Sequence, residues 1–400
     1  MNTRVKFLPL RRPAGDQLRM VGLFLAARAF LLISLPLDGL RGYGDFQHFF
    51  NLAKLGWPFL DIWVEFPPIF PFLSALLYRL AGGRQSGYDY LLAGLLTLAQ
   101  AASLWLFLRL AEKLHGQQAG LRRGWSYFAL SAGLAYGWWY FDPLATLAML
   151  LGLFWTLEGR VRRAGLALGL GMLLKWFPGL VLAVAWQHLS PRRAALTSAV
   201  SLGLTAAVLL GLYLVSPDLT GASLRSQFSK GSWETIWALI DGNLHTGNFG
   251  DLAGRFDPAQ ASEAQGQAAR LPVWGTLPVF AVAGAWLFWR GRPIPAGHPE
   301  PIRAVAFLGL AWSVFLLWLP GYSPQWVLYL LPLILLVLRE REALLMAGLL
   351  ALVNLLEWPL LLSRGLFWGL YLTVPLRTGL LVLLAARFWQ GVKQPMEEIP

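Results

Sequence analysis

The chain has 400 residues, of which 56% are hydrophobic and 14% charged, with a mean hydropathy of +0.53. Soluble domains carry roughly 25% charged residues, so this chain lacks the polar surface to live in water, and lipid is its main solvent. It has no cysteine, which excludes disulfides, thiolate metal sites and a thiol nucleophile. The net charge of +12 is scattered over short loops, which fits anionic lipid and the positive-inside rule rather than nucleic acid.

Apolar runs recur along the whole length, so residues 1–400 read as one polytopic membrane domain with no separate soluble unit. A crossing needs about 20 apolar residues. Met1 to Met20 is polar and basic and leads into an apolar run with no clean small-residue cleavage site, so a retained first helix is expected. That run, Leu18 to Leu37, follows Arg4, Lys6, Arg11, Arg12 and Arg19, which places the N-terminus in the cytoplasm. Residues 38–66 then form a first extracytoplasmic loop, acidic through Asp38, Asp45, Asp61 and Glu65.

Phe66 to Leu80 is short and proline-rich at its start, and Tyr88 to Leu110 is a full crossing. Arg79 and Arg84 follow the first of these; Arg109, Lys113, Arg122 and Arg123 follow the second. Both loops look cytoplasmic although one crossing separates them, so either the proline-rich segment only dips into the membrane or one basic loop is outside. Trp125 to Leu157 reads as a hairpin broken at Asp142-Pro143, and Ala164 to Leu189 as one broken at Lys175-Trp176-Phe177-Pro178. Ala194 to Val215 leads to a second large extracytoplasmic loop, residues 216–271. Pro272 to Trp289, Ala304 to Leu319, Gln325 to Leu338, Ala343 to Leu362 and Leu366 to Phe388 complete the chain, with Arg290, Arg292, Arg303, Arg339, Arg341, Arg387 and Lys393 inside. The expected fold is an all-α membrane bundle of roughly eleven to thirteen transmembrane or re-entrant helices, with both termini cytoplasmic.

The first loop carries the sharpest chemical signal: Tyr43-Gly44-Asp45-Phe46-Gln47-His48-Phe49-Phe50, then Asp61 and Glu65-Phe66-Pro67-Pro68. A carboxylate at a membrane boundary suits removal of a proton from a sugar hydroxyl while the other substrate stays in lipid. On a helix, Asp45 and His48 share a face; alternatively, Asp45 is an interfacial carboxylate held by Arg41 or Lys54. Lys175 interrupts an apolar run and is either a phosphate ligand or a solvated hairpin tip. Arg225, Lys230 and His245 in the large loop are further anion-binding candidates. Glu65 and Glu234 suit acceptor hydroxyls, with helix capping as the other role for Glu65 and for Asp142. Among the 20 tryptophans, Trp57, Trp63, Trp233 and Trp237 lie near these groups and suit stacking on sugars, whereas most of the others are interfacial anchors.

The order of four motifs resembles the multi-spanning glycosyltransferases of the C-type fold, and most of all the family 87 polyprenyl-phosphate-mannose-dependent α-mannosyltransferases. The motifs are Gly44-Asp45-Phe46 with Glu65-Phe66-Pro67-Pro68-Ile69-Phe70-Pro71, Lys175-Trp176-Phe177-Pro178, Gly231-Ser232-Trp233-Glu234-Thr235-Ile236, and Tyr322-Ser323-Pro324-Gln325-Trp326. Gln325 and Trp326 stand where some members carry a histidine. The resemblance implies inverting transfer of a hexose, mannose first, from a polyprenyl-phosphate donor to an extracytoplasmic glycolipid or glycan. It implies Asp45 as general base, Lys175 with Arg225 and Lys230 on the donor phosphate, and His48, Glu65, Glu234, His245, Tyr322 and Gln325 around acceptor or sugar. No cofactor is required; the chain has no Asp-x-Asp metal motif, and a divalent ion is left open. The expected partners are the lipid-linked donor, the acceptor and membrane lipid, in a plasma membrane of bacterial type. Two rival readings are a lipid-glycan flippase, favoured by the broken helices, and a related ligase using a lipid-diphosphate donor.

Overall fold

The computed structural model describes residues 15–227, 231–247, 250–262, 270–271, 273–291 and 301–393. Lys230 and the basic residues Arg4, Lys6, Arg11, Arg12 and Arg292 lie outside them. Among the described residues the chain is helical, with two isolated β-bridges and no strand. The helices are α1 (Gly15–Ser34), α2 (Asp38–Gly42), α3 (Phe46–Leu55), α4 (Ile69–Leu80), α5 (Gln85–His115), α6 (Gln117–Gly133), α7 (Tyr136–Trp139), α8 (Asp142–Leu157) and α9 (Val161–Leu174). Then come α10 (Val181–His188), α11 (Pro191–Val215), α12 (Pro217–Ser226), α13 (Ile236–Asp241), α14 (Val273–Arg290), α15 (Pro301–Trp318), α16 (Val327–Val337), α17 (Glu340–Leu355) and α18 (Leu370–Lys393). Among the described residues six helical stretches are long and apolar enough to cross a membrane; the chain is a multi-pass membrane protein.

The core forms around α16. Every residue from Val327 to Val337 is buried, as an all-round apolar sequence requires when protein rather than lipid surrounds it. Helices α5, α8, α15 and α18 pack against it. By contrast α11 and α14 turn Leu210, Leu214, Val279, Val282 and Trp289 outward. With no water in hydrocarbon, hydroxyls inside the bundle close back onto their own helices: Thr97 and Ser103 of α5 donate to the carbonyls of Ala93 and Ala99 at 2.8 Å.

Polar ties mark a base face. Gln17 Nε2 donates to Glu112 Oε2 at 2.8 Å, Lys113 pairs with Glu158, and Arg122 pairs with Glu340 at 3.1 Å. Arg303 Nε donates to the Val392 carbonyl at 3.0 Å. The first loop, the 134–141 turn, Lys175, the large loop and the 319–326 turn lie at the other ends of these helices and form the loop face.

The structure bears on the two readings left open for the loop at Arg79 and Arg84. Helix α4 has 12 residues, about 18 Å of rise, too short for about 30 Å of hydrocarbon. It packs beside α3 and returns to the loop face: the Arg79 guanidinium lies 3.7 Å from the Trp57 ring, Gln47 Nε2 donates to Gln85 Oε1 at 3.3 Å, and Arg41 Nε donates to Asp89 Oδ2 at 2.7 Å. The segment dips, and its basic end sits with the first loop.

Candidate active site

Asp45 stands at the N-cap position of α3, and its side chain does not cap the helix. Its backbone is fixed twice: its N–H donates to the Trp139 carbonyl at 2.9 Å, and its carbonyl accepts from Phe49 N at 2.8 Å. Gly44 makes this approach possible, since a Cβ there would lie 2.4 Å from Trp139 Cβ. The 134–141 turn is fastened in its own right. Trp139 Nε1 donates to the Gly39 carbonyl at 3.2 Å, and Tyr140 Oη to the Tyr43 carbonyl at 3.2 Å. Trp358 Nε1, arriving from the end of α17, donates to the same Tyr43 carbonyl at 2.7 Å, while Tyr136 Oη donates to the Trp358 carbonyl at 2.5 Å. The carboxylate is thus half-buried on a rigid collar of aromatic residues.

Arg41 is engaged with Asp38 and Asp89. His48 faces Glu65, with Nε2 to Oε1 at 3.2 Å. Glu65 also takes both guanidinium nitrogens of Arg255, one of them at 3.0 Å. Burial alone raises the Glu65 carboxyl; the hydrogen bonds and charges of His48 and Arg255 outweigh it and hold the group well below the usual carboxylate range. Glu65 is therefore not the helix cap: Pro68 precedes α4 with no side-chain cap. It fastens the first loop to the large loop. Trp63 belongs to this fastening. Its Nε1 donates to the Gly254 carbonyl at 2.8 Å, its N–H to the Arg255 carbonyl at 3.0 Å, and its ring lies 4.2 Å from the guanidinium. Trp63 is 5% exposed and has no face left for a sugar.

Lys175 terminates α9 in an extended conformation. Its Nζ lies 2.7 Å from Asp142 Oδ1, which also accepts from Tyr329 Oη at 2.8 Å. Asp142 is thus a counter-ion and not simply a cap. The rings of Phe141, Phe177 and Trp326 surround the ammonium at 5.1–5.5 Å. An ammonium has three donors, and this side chain keeps 15% exposure. Next door, Trp176 Nε1 donates to Gln227 Oε1, which brings the end of α12, with exposed Arg225, toward Lys175.

The large loop and the late motif, about 90 residues apart, form one unit. Trp233 pairs with Gly321 as an isolated bridge: Tyr322 N donates to the Trp233 carbonyl at 3.0 Å, and Trp233 N to the Pro320 carbonyl at 3.3 Å. The Trp233 ring lies where a Cβ of residue 321 would be, 2.3 Å away. Thr235 Oγ1 donates to the Pro320 carbonyl at 2.6 Å and caps α13. Trp237 Nε1 donates to the Leu317 carbonyl at 2.9 Å. Trp233 and Trp237 are thus tied into the packing although each stays half-exposed; of the four expected sugar-stacking tryptophans Trp63 is buried, and Trp57, also half-exposed, carries Arg79 over its ring. Glu234, between Trp233 and Thr235, has φ of +53°, a left-handed conformation that costs a non-glycine residue about 1–3 kcal/mol. Arg377 of α18 holds it by donating to the Glu234 carbonyl, and the same guanidinium pairs with Glu357 and lies 3.9 Å from the Tyr322 ring. Burial and then the Glu357 carboxylate push the Glu234 carboxyl well above the ordinary range, with Arg377 opposing. Gln325 is buried in the Pro324–Trp326 turn, and His245 is half-buried, with Nδ1 2.7 Å from the Thr246 carbonyl.

Tyr140 sits where these parts meet. Burial raises its hydroxyl pKa, and the neighbouring charges that add to this come from Asp45, Tyr136, Glu234 and Asp142. The structure thus gathers Asp45, Glu234 and the Asp142–Lys175 pair around one turn, and keeps His48 and Glu65 in the fastening between loops. Glu357, Arg377 and Arg255 were not singled out from sequence; the first two are ionisable residues inside late apolar runs, a signal that marks function by default. Among the described residues no three His, Cys, Asp or Glu side chains gather closely enough to hold a metal ion.

No family model and no curated protein matches the chain. Two proteins of known structure are similar to it over nearly its whole length. ArnT from Cupriavidus metallidurans, solved with undecaprenyl phosphate bound, is 15% identical, with a TM-score of 0.49 over 96% of this chain and 78% of its own. The oligosaccharyltransferase of Archaeoglobus fulgidus, in the apo form, is 12% identical, with a TM-score of 0.45 over 94% of this chain and 56% of its own. Likeness of this degree leaves the chemistry to be read from the side chains.

Proposed function

We propose that the protein is a membrane glycosyltransferase of the C-type fold that moves a hexose, mannose first among candidates, from a polyprenyl-phosphate donor to an extracytoplasmic acceptor. The observation that carries this reading is the mounting of Asp45: a half-buried carboxylate on an aromatic collar, with the Asp142–Lys175 pair and Glu234 around the same turn. In the proposed reaction an acceptor hydroxyl oxygen attacks the anomeric carbon. The bond from that carbon to the phosphate oxygen breaks, the lipid phosphate leaves with the electron pair, and Asp45 takes the hydroxyl proton. Configuration inverts in a single displacement. Lys175 keeps N–H donors beyond the one facing Asp142, and this cation suits the charge growing on the phosphate, with Arg225 of α12 as the second candidate. The motif order of the sequence supports the same reading. No divalent ion or cofactor enters this scheme.

The test is transfer of labelled mannose from a polyprenyl-phosphate donor by purified protein and by Asp45→Asn, against a panel of membrane glycolipids. Turnover that falls by about 10²–10⁴ in a folded Asp45→Asn protein, the usual worth of a positioned base, supports the assignment. Equal turnover in both overturns it. Movement of lipid-linked sugar across liposomes without any transfer would replace the enzyme reading with a flippase, and a preference for a lipid-diphosphate donor would replace it with a ligase.

A further inference from the structure

Arg28 lies inside α1, a helix long and apolar enough to span a membrane, and is 2% exposed. Its surroundings are neutral. Nη2 donates to Gln100 Oε1 of α5, and Nη1 lies 3.4 Å from the Ala132 carbonyl in the last turn of α6. The guanidinium stands 4.1 Å from the Trp138 ring and 5.8 Å from the Phe24 ring. Among the described residues no carboxylate pairs with it. A buried charge without a counter-ion is expensive, and inside a membrane it marks function by default. Here the negative carbonyl end of α6 and two aromatic faces supply the compensation.

Most of these contacts lead to the 134–141 turn. Trp138 belongs to it, and its Nε1 donates to Thr97 Oγ1 at 2.8 Å. Gln100 reaches it too: because Arg28 takes the amide oxygen, the amide nitrogen faces the Gly137 carbonyl, to which it donates at 2.8 Å. The fit is close, since a Cβ on residue 137 would lie 2.7 Å from Arg28 Nη2. Two residues further on, the Trp139 carbonyl accepts the Asp45 N–H at 2.9 Å. The Gly39 and Tyr43 carbonyls fasten the collar on its outer side, and Arg28 supports it from within the bundle. A planar cation suits this place because it lies flat on Trp138 while aiming N–H groups at a fixed oxygen. Resting on the transfer reading for the role of Asp45, we propose that Arg28 is a positioning residue for the general base: through Gln100, Gly137 and Trp138 it sets where Trp139 holds the Asp45 carboxylate.

The experiment is a double-mutant cycle on the full-length protein, with kcat and KM referred to folded protein. Arg28→Met should lower kcat about 10–100-fold with little change in KM, the loss expected when a reacting group is displaced by about 1 Å. Arg28→Lys should regain part of it. In an Asp45→Asn background the same Arg28→Met change should cost less than about twofold more, because a residue acting through the base loses its effect when the base is gone. Losses that multiply in the double mutant, or a raised KM at constant kcat, would make Arg28 a packing residue and overturn the inference. If Arg28→Met does not fold, Trp138→Phe, which keeps a ring under the guanidinium, carries the cycle with a smaller loss. A second readout needs no turnover. The chain has no cysteine of its own, so Asp45→Cys takes a single nitroxide label, with Gln118→Cys at the exposed far end of α6 as control. Arg28→Met, or Trp138→Phe in its place, should mobilise the label at 45 and leave that at 118 unchanged. An unchanged spectrum at 45, or equal loosening at both positions, overturns the inference. Selective loosening at 45 in a protein that transfers no sugar would sink the transfer reading and leave the placement of residue 45 by Arg28 standing.

Discussion

Two ion pairs on the loop face, Glu65–Arg255 and Asp142–Lys175, look alike in sequence and differ in use. Arg255 is fully buried, and its Nη1 and Nη2 both bind Glu65. Lys175 approaches one oxygen of Asp142, keeps donors to spare and is partly exposed within an aromatic cage. A bidentate guanidinium fixes geometry; an ammonium on a flexible stem is a point charge that can face a second partner. The difference lies in the counter-ion: Glu65 takes up both Arg255 terminal nitrogens, whereas Asp142 leaves Lys175 with donors to spare.

Breaking the fastener should have the largest effect. Arg255→Met leaves Glu65 buried with less compensation, which costs about 3–5 kcal/mol; the midpoint of thermal unfolding in detergent should fall steeply, and Glu65→Gln combined with Arg255→Met should recover part of it. A midpoint unchanged by Arg255→Met would erase the distinction between the two pairs. Lys175→Met should act mainly on rate: loss of one charged hydrogen bond to phosphate, about 1.5–3 kcal/mol, lowers kcat/KM by roughly one to two orders of magnitude, with Lys175→Arg restoring some of it. A large stability loss with unchanged kcat/KM would make Lys175 a fastener too.

Gly44→Ala sharpens the contrast at the collar. The added methyl meets Trp139 and should destabilise by about 1–3 kcal/mol, with activity falling further than the folded fraction because Asp45 is displaced. The smallest effect is that of acid. Glu65 is held below its ordinary range in the fold, so its contribution to stability is fully present above the unfolded value, about 4.3. It is lost as pH falls through the folded value. Unfolding midpoints should be insensitive to this group from pH 8 to about 5 and decline below about 4.3; a decline already present near pH 6 would sink the assignment to Glu65.

Much of this arrangement was legible in the chain. The breaks at Asp142-Pro143 and Lys175-Pro178 fall where the structure ends one helix and starts another, because proline and an intramembrane charge each stop an apolar run visibly. Asp45 was legible from its neighbours, and the structure adds its mounting on Trp139. The tie between Trp233 and Gly321 was not, since a single bridge between distant loops leaves no periodic trace. Nor was the role of Glu65, because its partner Arg255 lies in a polar stretch where one arginine looks like any other. Glu357 and Arg377 were missed for a different reason: each was averaged away inside a long apolar window, although a charge there always needs a partner. The basic end of α4 left its own placement open in sequence, because the contacts of Arg79 with Trp57 and of Gln85 with Gln47 tie it to the first loop without any trace in the charge pattern.

The contact between Arg377 and the Glu234 carbonyl spans 143 residues of chain. Its consequence concerns the birth of the protein rather than its turnover. A chain emerging into the membrane carries Asp45, Asp142 and Lys175 long before it carries α18, and until that helix inserts the left-handed turn at Glu234 lacks its Arg377 contact and relies on the ties of Trp233 and Thr235 to residues 320–322. The wall at Glu234 is therefore finished only once α18 is in place, and a nascent or truncated chain lacking α18 displays Asp45 and the Asp142–Lys175 pair beside an unfinished wall.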